Sequence, residues 1–157
     1  MGWVGTIIAA AQRLGVARDI LLAAAGIPVD ALEWERWPID YVTRLWRAAD
    51  HCSRDAGFGL KVGAGVSLAS INVVGFAFQS SATLREAIVM VQKYQRLISD
   101  GGRFQMLEGK DTTWVVYHPC QGQLAFSPHQ IEAVLATMVT FSGLVAGVAQ
   151  QPLRVQF

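Results

Sequence analysis

Apolar residues recur at helical spacing along most of the chain. Val4, Ile7, Ile8, Ala11 and Leu14 predict a helix over residues 3–14, which Gly15 ends. A second, shorter helix is expected over 17–25, with Ile20, Leu21 and Ala24 on its inner side and Gly26 as its stop. Ile27-Pro28-Val29-Asp30 then opens a turn that runs through Leu32. Pro38 introduces a third helix, 40–55. Its stripe of Val42, Leu45, Trp46 and Ala49 faces inward, while Arg44, Arg47, Asp50 and Arg54 face water. Residues 58–66 read as a short helix running into a loop. Residues 70–78 are apolar almost throughout, and the lack of strict alternation favours a buried helix over a buried strand.

The second half of the chain is better punctuated. Thr83-Leu84-Arg85-Glu86 is a capping box, in which the Thr83 hydroxyl accepts from the Glu86 amide and the Glu86 side chain reaches back. The helix it opens is expected to run to Ser99, with Leu84, Ala87, Ile88, Val91, Tyr94 and Ile98 inward, until Asp100-Gly101-Gly102 stops it. Segments 103–107 and 112–118 read as strands, and the glycine-containing loop 108–111 between them predicts an antiparallel hairpin. Trp114 and Val116 share one face of it, Val115 and Tyr117 the other. Ser127 is placed to cap the last helix, with Pro128 at its first position and Gln130 completing a second box. Ile131, Val134, Leu135, Met138 and Val145 are expected inside, and Gly147 ends the helix. Residues 152–157 resemble the start of a further strand. A close on Val155-Gln156-Phe157, with no polar tail, reads as a cut or as disorder beyond it. The expected fold is α+β: a mainly helical single domain over 1–157 with a small antiparallel sheet.

Composition narrows the function classes. The 157 residues suit one domain. With 52% hydrophobic and 16% charged residues, disorder and a charge-rich coiled coil are excluded. Thirteen Lys+Arg against twelve Asp+Glu leave a net charge of +1. A module that grips the phosphate backbone needs a basic excess, so this chain is not expected to bind DNA itself, despite two short helices around Gly15 that loosely suggest a helix-turn-helix. A mean hydropathy of +0.33 predicts apolar surface that meets a ligand, a partner or another domain. No basic residue precedes the apolar start, so no secretory leader is expected. The uncharged stretch 133–153 contains Thr137, Thr140, Ser142, Gly143, Gly147 and Pro152, and reads as a buried helix and a turn rather than a membrane span. Cys52 and Cys120, far apart, suggest free thiols in a reducing compartment.

Candidate chemistry is sparse. His51, His118 and His129 belong to no catalytic motif. His51-Cys52 and His118-Pro119-Cys120 offer neighbouring ligands that rarely share one ion, so neither a metal nor a cofactor nor a catalytic residue is expected. Gly57-Phe58-Gly59 and Gly63-Ala64-Gly65 miss the phosphate-binding spacings and suit tight turns. The aromatics remain. Phe76, Phe78, Tyr94, Trp114 and Tyr117 lie on the buried helix, the capped helix and the hairpin, and converge on one ligand cavity if the helices cover the sheet. Gln79, Ser80 and Gln92 are the neutral polar groups nearby that could orient a ligand. The same residues also suit an ordinary core.

The run Gly75-Phe76-Ala77-Phe78-Gln79-Ser80-Ser81-Ala82-Thr83-Leu84-Arg85-Glu86-Ala87, followed by Tyr94-Gln95-Arg96-Leu97, resembles the N-terminal effector domain of AraC/XylS-family transcription regulators. More narrowly, it resembles the arabinose-binding type found in regulators of ornithine utilisation. The family usually has Pro where this chain has Ala82. Ala25-Gly26-Ile27-Pro28, Trp37-Pro38-Ile39, Phe58-Gly59-Leu60-Lys61-Val62-Gly63 and Pro152-Leu153-Arg154-Val155-Gln156-Phe157 match the family's flanking elements in order. The resemblance implies a cytoplasmic bacterial regulator whose C-terminal half, absent here, carries two helix-turn-helix motifs that bind DNA. The N-terminal half would sense a small-molecule effector, amino acids being one class, and form a homodimer, with no membrane involved. The alternative is a ligand-free dimerisation module, its interface supplied by helix 131–146 or by the N-terminal helix. The resemblance carries no set of ligand contacts to this sequence.

Overall fold

A computed structural model describes residues 2–149 and 151–157, so Gln150, part of the uncharged stretch, lies outside the described residues. Among the described residues, seven helices and one hairpin follow in order: α1 (Trp3–Arg13), α2 (Arg18–Ala24), α3 (Ile39–Ser53), α4 (Phe58–Ala64), α5 (Asn72–Gln79), α6 (Leu84–Tyr94), β1 (Gly102–Glu108), β2 (Thr113–Pro119) and α7 (Pro128–Ala146). Single 3-10 turns lead out of α2 (Val29–Glu33), into α5 (Leu68–Ile71) and out of α6 (Gln95–Leu97). The fold is mainly helical α+β.

Glycine in the left-handed region stops three elements: φ is +85° at Gly15, +61° at Gly26 and +70° at Gly147. A side chain there would meet its own backbone, which is why these helices end where they do. The Thr83 box forms. The Glu86 amide donates to Thr83 Oγ1 at 3.2 Å, and the Glu86 carboxylate accepts from the Ala82 amide at 3.1 Å, one residue earlier than the ideal box. The second box does not form. Ser127 sits at the cap of α7 without a capping hydrogen bond from its side chain, and Gln130 turns into the interior instead.

Two hydrophobic cores lie side by side. The first joins α1 to α4: Ile7, Ile8, Leu21, Leu22, Leu45, Trp46, Phe58 and Val62, with Ala133 of α7. The second joins α5, α6 and the end of α7: Ile71, Val74, Phe78, Ala87, Val91 and Phe141. Trp3 packs against both. In α2 the inner pair is Leu21 and Leu22, and Ile20 stands 58% exposed, because the helix is too short to bury a broad stripe. The buried line of α7 is Gln130, Ala133, Thr137 and Phe141, rotated from the stripe its apolar residues predict; Ile131, Val134, Leu135, Met138 and Val145 are half-buried. Residues 152–157 form no strand, and Leu153 is 92% exposed.

The rotation of α7 has a cause in α4. Gly59 and Gly63, one turn apart, give α4 a bare face against the α7 backbone. A Cβ on Gly59 would lie 2.5 Å from the His129 carbonyl oxygen, and one on Gly63 would lie 2.3 Å from that of Ala133. These glycines therefore serve close helix packing rather than the tight turns their sequence suggests. Thr137 Oγ1 crosses the contact and donates to the Gly63 carbonyl at 3.2 Å. The start of α7 is held from α3, where Asp40 accepts from the Gln123 and Leu124 amides at 3.1 and 3.0 Å, and Arg47 donates to the Ala125 carbonyl at 2.7 Å.

Gly63→Val is expected to cost about 3 kcal/mol, the upper end of overpacking penalties. Thermal denaturation should show a melting point about 6–12 °C lower. Gly65→Ala, whose new methyl meets the movable Arg13 side chain at 3.1 Å and the Lys61 carbonyl oxygen at 3.3 Å, should lower it far less.

Candidate functional site

The seam between the two cores holds a partly open cavity of about 80 Å³. The hairpin supplies one wall. β1 and β2 pair antiparallel with Phe104 opposite Tyr117, their rings 5.0 Å apart. The loop falls at 109–112, one residue later than its glycine suggests. That moves each partner by two positions and so keeps the faces: Phe104, Met106, Val115 and Tyr117 turn to one side, Trp114 and Val116 to the other. The α7 wall is Gln130, Val134, Thr137, Met138 and Phe141, spaced to share one face of the helix. Phe78 of α5 and Val91 of α6 close the far side, with Phe78 and Phe141 5.8 Å apart. Gln95, Ile98 and Ser99 form one end; Trp3 and Val42 lean in from the first core.

Among the described residues no lining side chain is charged, and most of the polar ones are engaged with backbone. Gln95 accepts from the Phe104 amide at 2.5 Å and donates to the Gln92 carbonyl at 3.0 Å. Ser99 Oγ accepts from the Gly101 amide at 2.9 Å, and Thr137 donates to the Ala133 carbonyl at 2.8 Å. Tyr117 donates to the Gly101 carbonyl at 2.8 Å, and Gln130 Nε2 approaches the same oxygen at 3.5 Å. Gln130 Oε1 is buried without a hydrogen-bond partner among the described residues. Burial pushes the Tyr117 phenol up to about 12, partly opposed by the Gln130 side chain. Gly102 makes room for this ring, since a Cβ there would stand 2.3 Å from the tyrosine Cζ and hydroxyl.

The structure brings two of the sequence-derived ligand candidates, Phe78 and Tyr117, into the lining. Gln92 stands next to it, its amide 3.5 Å from the Phe104 carbonyl. The others lie outside the lining. Phe76 is 62% exposed on the outer face of α5, because Val74 and Phe78 occupy the inner one. Gln79 and Ser80 are exposed at the end of that helix, where Ser80 donates to the Phe76 carbonyl at 2.9 Å. Tyr94 lies beneath the Lys93 ammonium at 5.2 Å, and Trp114 faces outward opposite Leu107. Sequence reasoning passed over Trp3, Phe104, Gln130 and Phe141. Phe104 could have been found from strand parity with Tyr117; Gln130 was absorbed into a cap.

A wider groove of about 490 Å³ adjoins the cavity and shares Trp3, Val42, Ile98 and Ser99 with it. Arg36 ties its rim, pairing with Asp100 and donating to the Arg96 carbonyl at 2.7 Å. Both cysteines are free. His129 sits between Glu132, 2.9 Å from Nδ1, and Asp50, 3.1 Å from Nε2. Among the described residues no three His, Cys, Asp or Glu side chains are grouped to hold a metal ion.

The family model for the arabinose-binding domain of AraC transcription regulators, N-terminal, matches residues 15–157. The chain belongs to that family of transcription-regulator domains. It is 27% identical over 130 residues to an uncharacterized HTH-type transcriptional regulator of Mycobacterium bovis, and equally to one of Mycobacterium tuberculosis. In each case the match covers 79% of this chain and 38% of the relative. Trp3, which lines the cavity, precedes the matched segment.

Because the fold holds Tyr117 protonated, its contribution to stability is fully present below the unfolded-state value of 10.0 and is lost as pH rises through about 12. Tyr117→Phe should cost about 1 kcal/mol at neutral pH, for the lost hydrogen bond. In urea titrations between pH 10 and 12 the variant should lose stability less steeply than the parent.

Proposed function

We propose that this chain is the effector-sensing domain of a bacterial AraC-type transcription regulator. A small molecule entering the cavity biases the packing of the two cores against each other, and a DNA-binding part of the longer protein responds to that bias. The cavity at the seam is the observation that carries this reading, since a ligand there touches the hairpin, α7 and both cores at once. Ligand binding alone would not suffice: the effector must bind one arrangement more tightly than the other. Family membership and the HTH-type relatives support the regulatory setting. A cytoplasmic homodimer that uses no membrane completes the proposal. By length and composition α7 could cross a bilayer, but its Gln130–Phe141 line is used inside the chain.

The alternative of a ligand-free dimerisation module is favoured by exposed apolar side chains on α7, where Val139 and Leu144 face out, and on α5. Val73 and Phe76, three residues apart on α5, both stand exposed. The N-terminal helix offers less for an interface, since Ile7, Ile8 and Ala11 are buried in the first core. Sedimentation of the parent and Phe76→Glu would favour this alternative if a tight dimer depended on Phe76 while no metabolite bound.

A screen of metabolites by thermal shift tests the sensing reading. A ligand at a hundredfold excess over its Kd stabilises by about 2.7 kcal/mol. For a chain of this size the melting point should rise by about 5–11 °C. Val134→Phe, which fills the cavity from α7, should abolish that rise and, in the full-length regulator, the transcriptional response. A response that persists in the blocked variant would overturn the reading.

A further inference from the structure

We infer that the effector is an uncharged, mostly apolar molecule carrying at least one hydroxyl or N–H donor, and that Gln130 selects it through its side-chain oxygen. The inference rests on the sensing reading and adds the chemistry of the ligand.

Three observations carry it. First, none of the described residues that line the seam is charged, and the Arg103 guanidinium beside it is already engaged by the Ser99 and Gly102 carbonyls and by Asp100, so an ionised group entering would lose its hydration with no free counter-charge in the wall. A carboxylate, an ammonium group or a zwitterionic amino acid is thereby disfavoured. Second, the wall is built from paired aromatic rings and aliphatic side chains, Phe104 on Tyr117 and Phe78 on Phe141, which suit an apolar body. Third, the unused polar capacity is specific. Gln130 is 3% exposed, its Nε2 reaches the Gly101 carbonyl only at 3.5 Å, and its Oε1 has no partner among the described residues. A buried carbonyl left unpaired costs about 1–3 kcal/mol. A ligand donor would remove that cost, while a ligand with acceptors only would not. The other buried groups left unpaired, Thr43 Oγ1 and Trp46 Nε1, belong to α3 and do not line the cavity. Phe141 and Ala133 hold the register of α7 on either side of the cavity wall, so Gln130 is carried by a fixed element rather than by a loop.

The test compares four probes of similar size: phenol, its near-isostere toluene, benzoate and L-ornithine. Each is titrated against the parent chain and Gln130→Met, with affinity read by calorimetry and melting point. Phenol and toluene should both bind the parent, and benzoate and L-ornithine should not. In Gln130→Met toluene affinity should stay within about twofold, which also reports an intact cavity. The ratio of phenol to toluene affinity should fall about tenfold, the loss expected for one buried donor left without its acceptor. An unchanged ratio would remove Gln130 from the recognition. Binding of benzoate or L-ornithine that Val134→Phe blocks would overturn the uncharged class while leaving the sensing reading in place. Failure of all four probes to bind the parent would overturn the inference itself. The sensing reading would then stand or fall on the metabolite screen.

Discussion

The close approach of α4 to α7 sets the position of almost everything else. Two missing side chains, at Gly59 and Gly63, let the α7 backbone lie against α4 at a distance no alanine would permit. With that distance fixed, α7 presents Ala133 to the first core and Phe141 to the second, so one helix closes both. The face that runs from Gln130 through Val134, Thr137 and Met138 to Phe141 then becomes one wall of a cavity. The site follows from helix packing, not from a loop grafted onto a finished fold.

Its chemistry is as constrained as its position. Gln95, Ser99 and Tyr117 use their hydrogen-bonding groups on nearby backbone, which steadies the turn after α6 and the first residues of β1, while Thr137 spends its hydroxyl within α7. A polar group already paired has little left for a visitor, and among the described lining residues Gln130 alone keeps a buried side-chain oxygen without a partner.

Much of the helical order could be read from the chain, because glycine stops, the Thr83 cap and three- or four-residue periodicity are local signals. The hairpin was legible to within one residue of its loop, and parity protected the faces even where the pairing shifted. What could not be read was rotation. Gln130 and Thr137 are polar, so a search for apolar stripes turns α7 the wrong way; only the glycines of a helix some seventy residues earlier reveal the true inner face. Phe76 and Phe78 look equivalent in sequence, yet a two-residue step on a helix puts one inside and the other in water. Composition had shown that aromatics were available for a cavity. Which of them reach it is a question of tertiary contact that local pattern does not hold.

Gly102 carries a consequence of its own. The tyrosine ring of the opposite strand rests in the space a methyl group would occupy at that residue. Any chain of this kind with alanine or larger there must swing its phenol aside, unhooking the hydroxyl from the Gly101 carbonyl and reshaping the floor beneath the visitor. A single carbon atom thus decides how deep the chamber is.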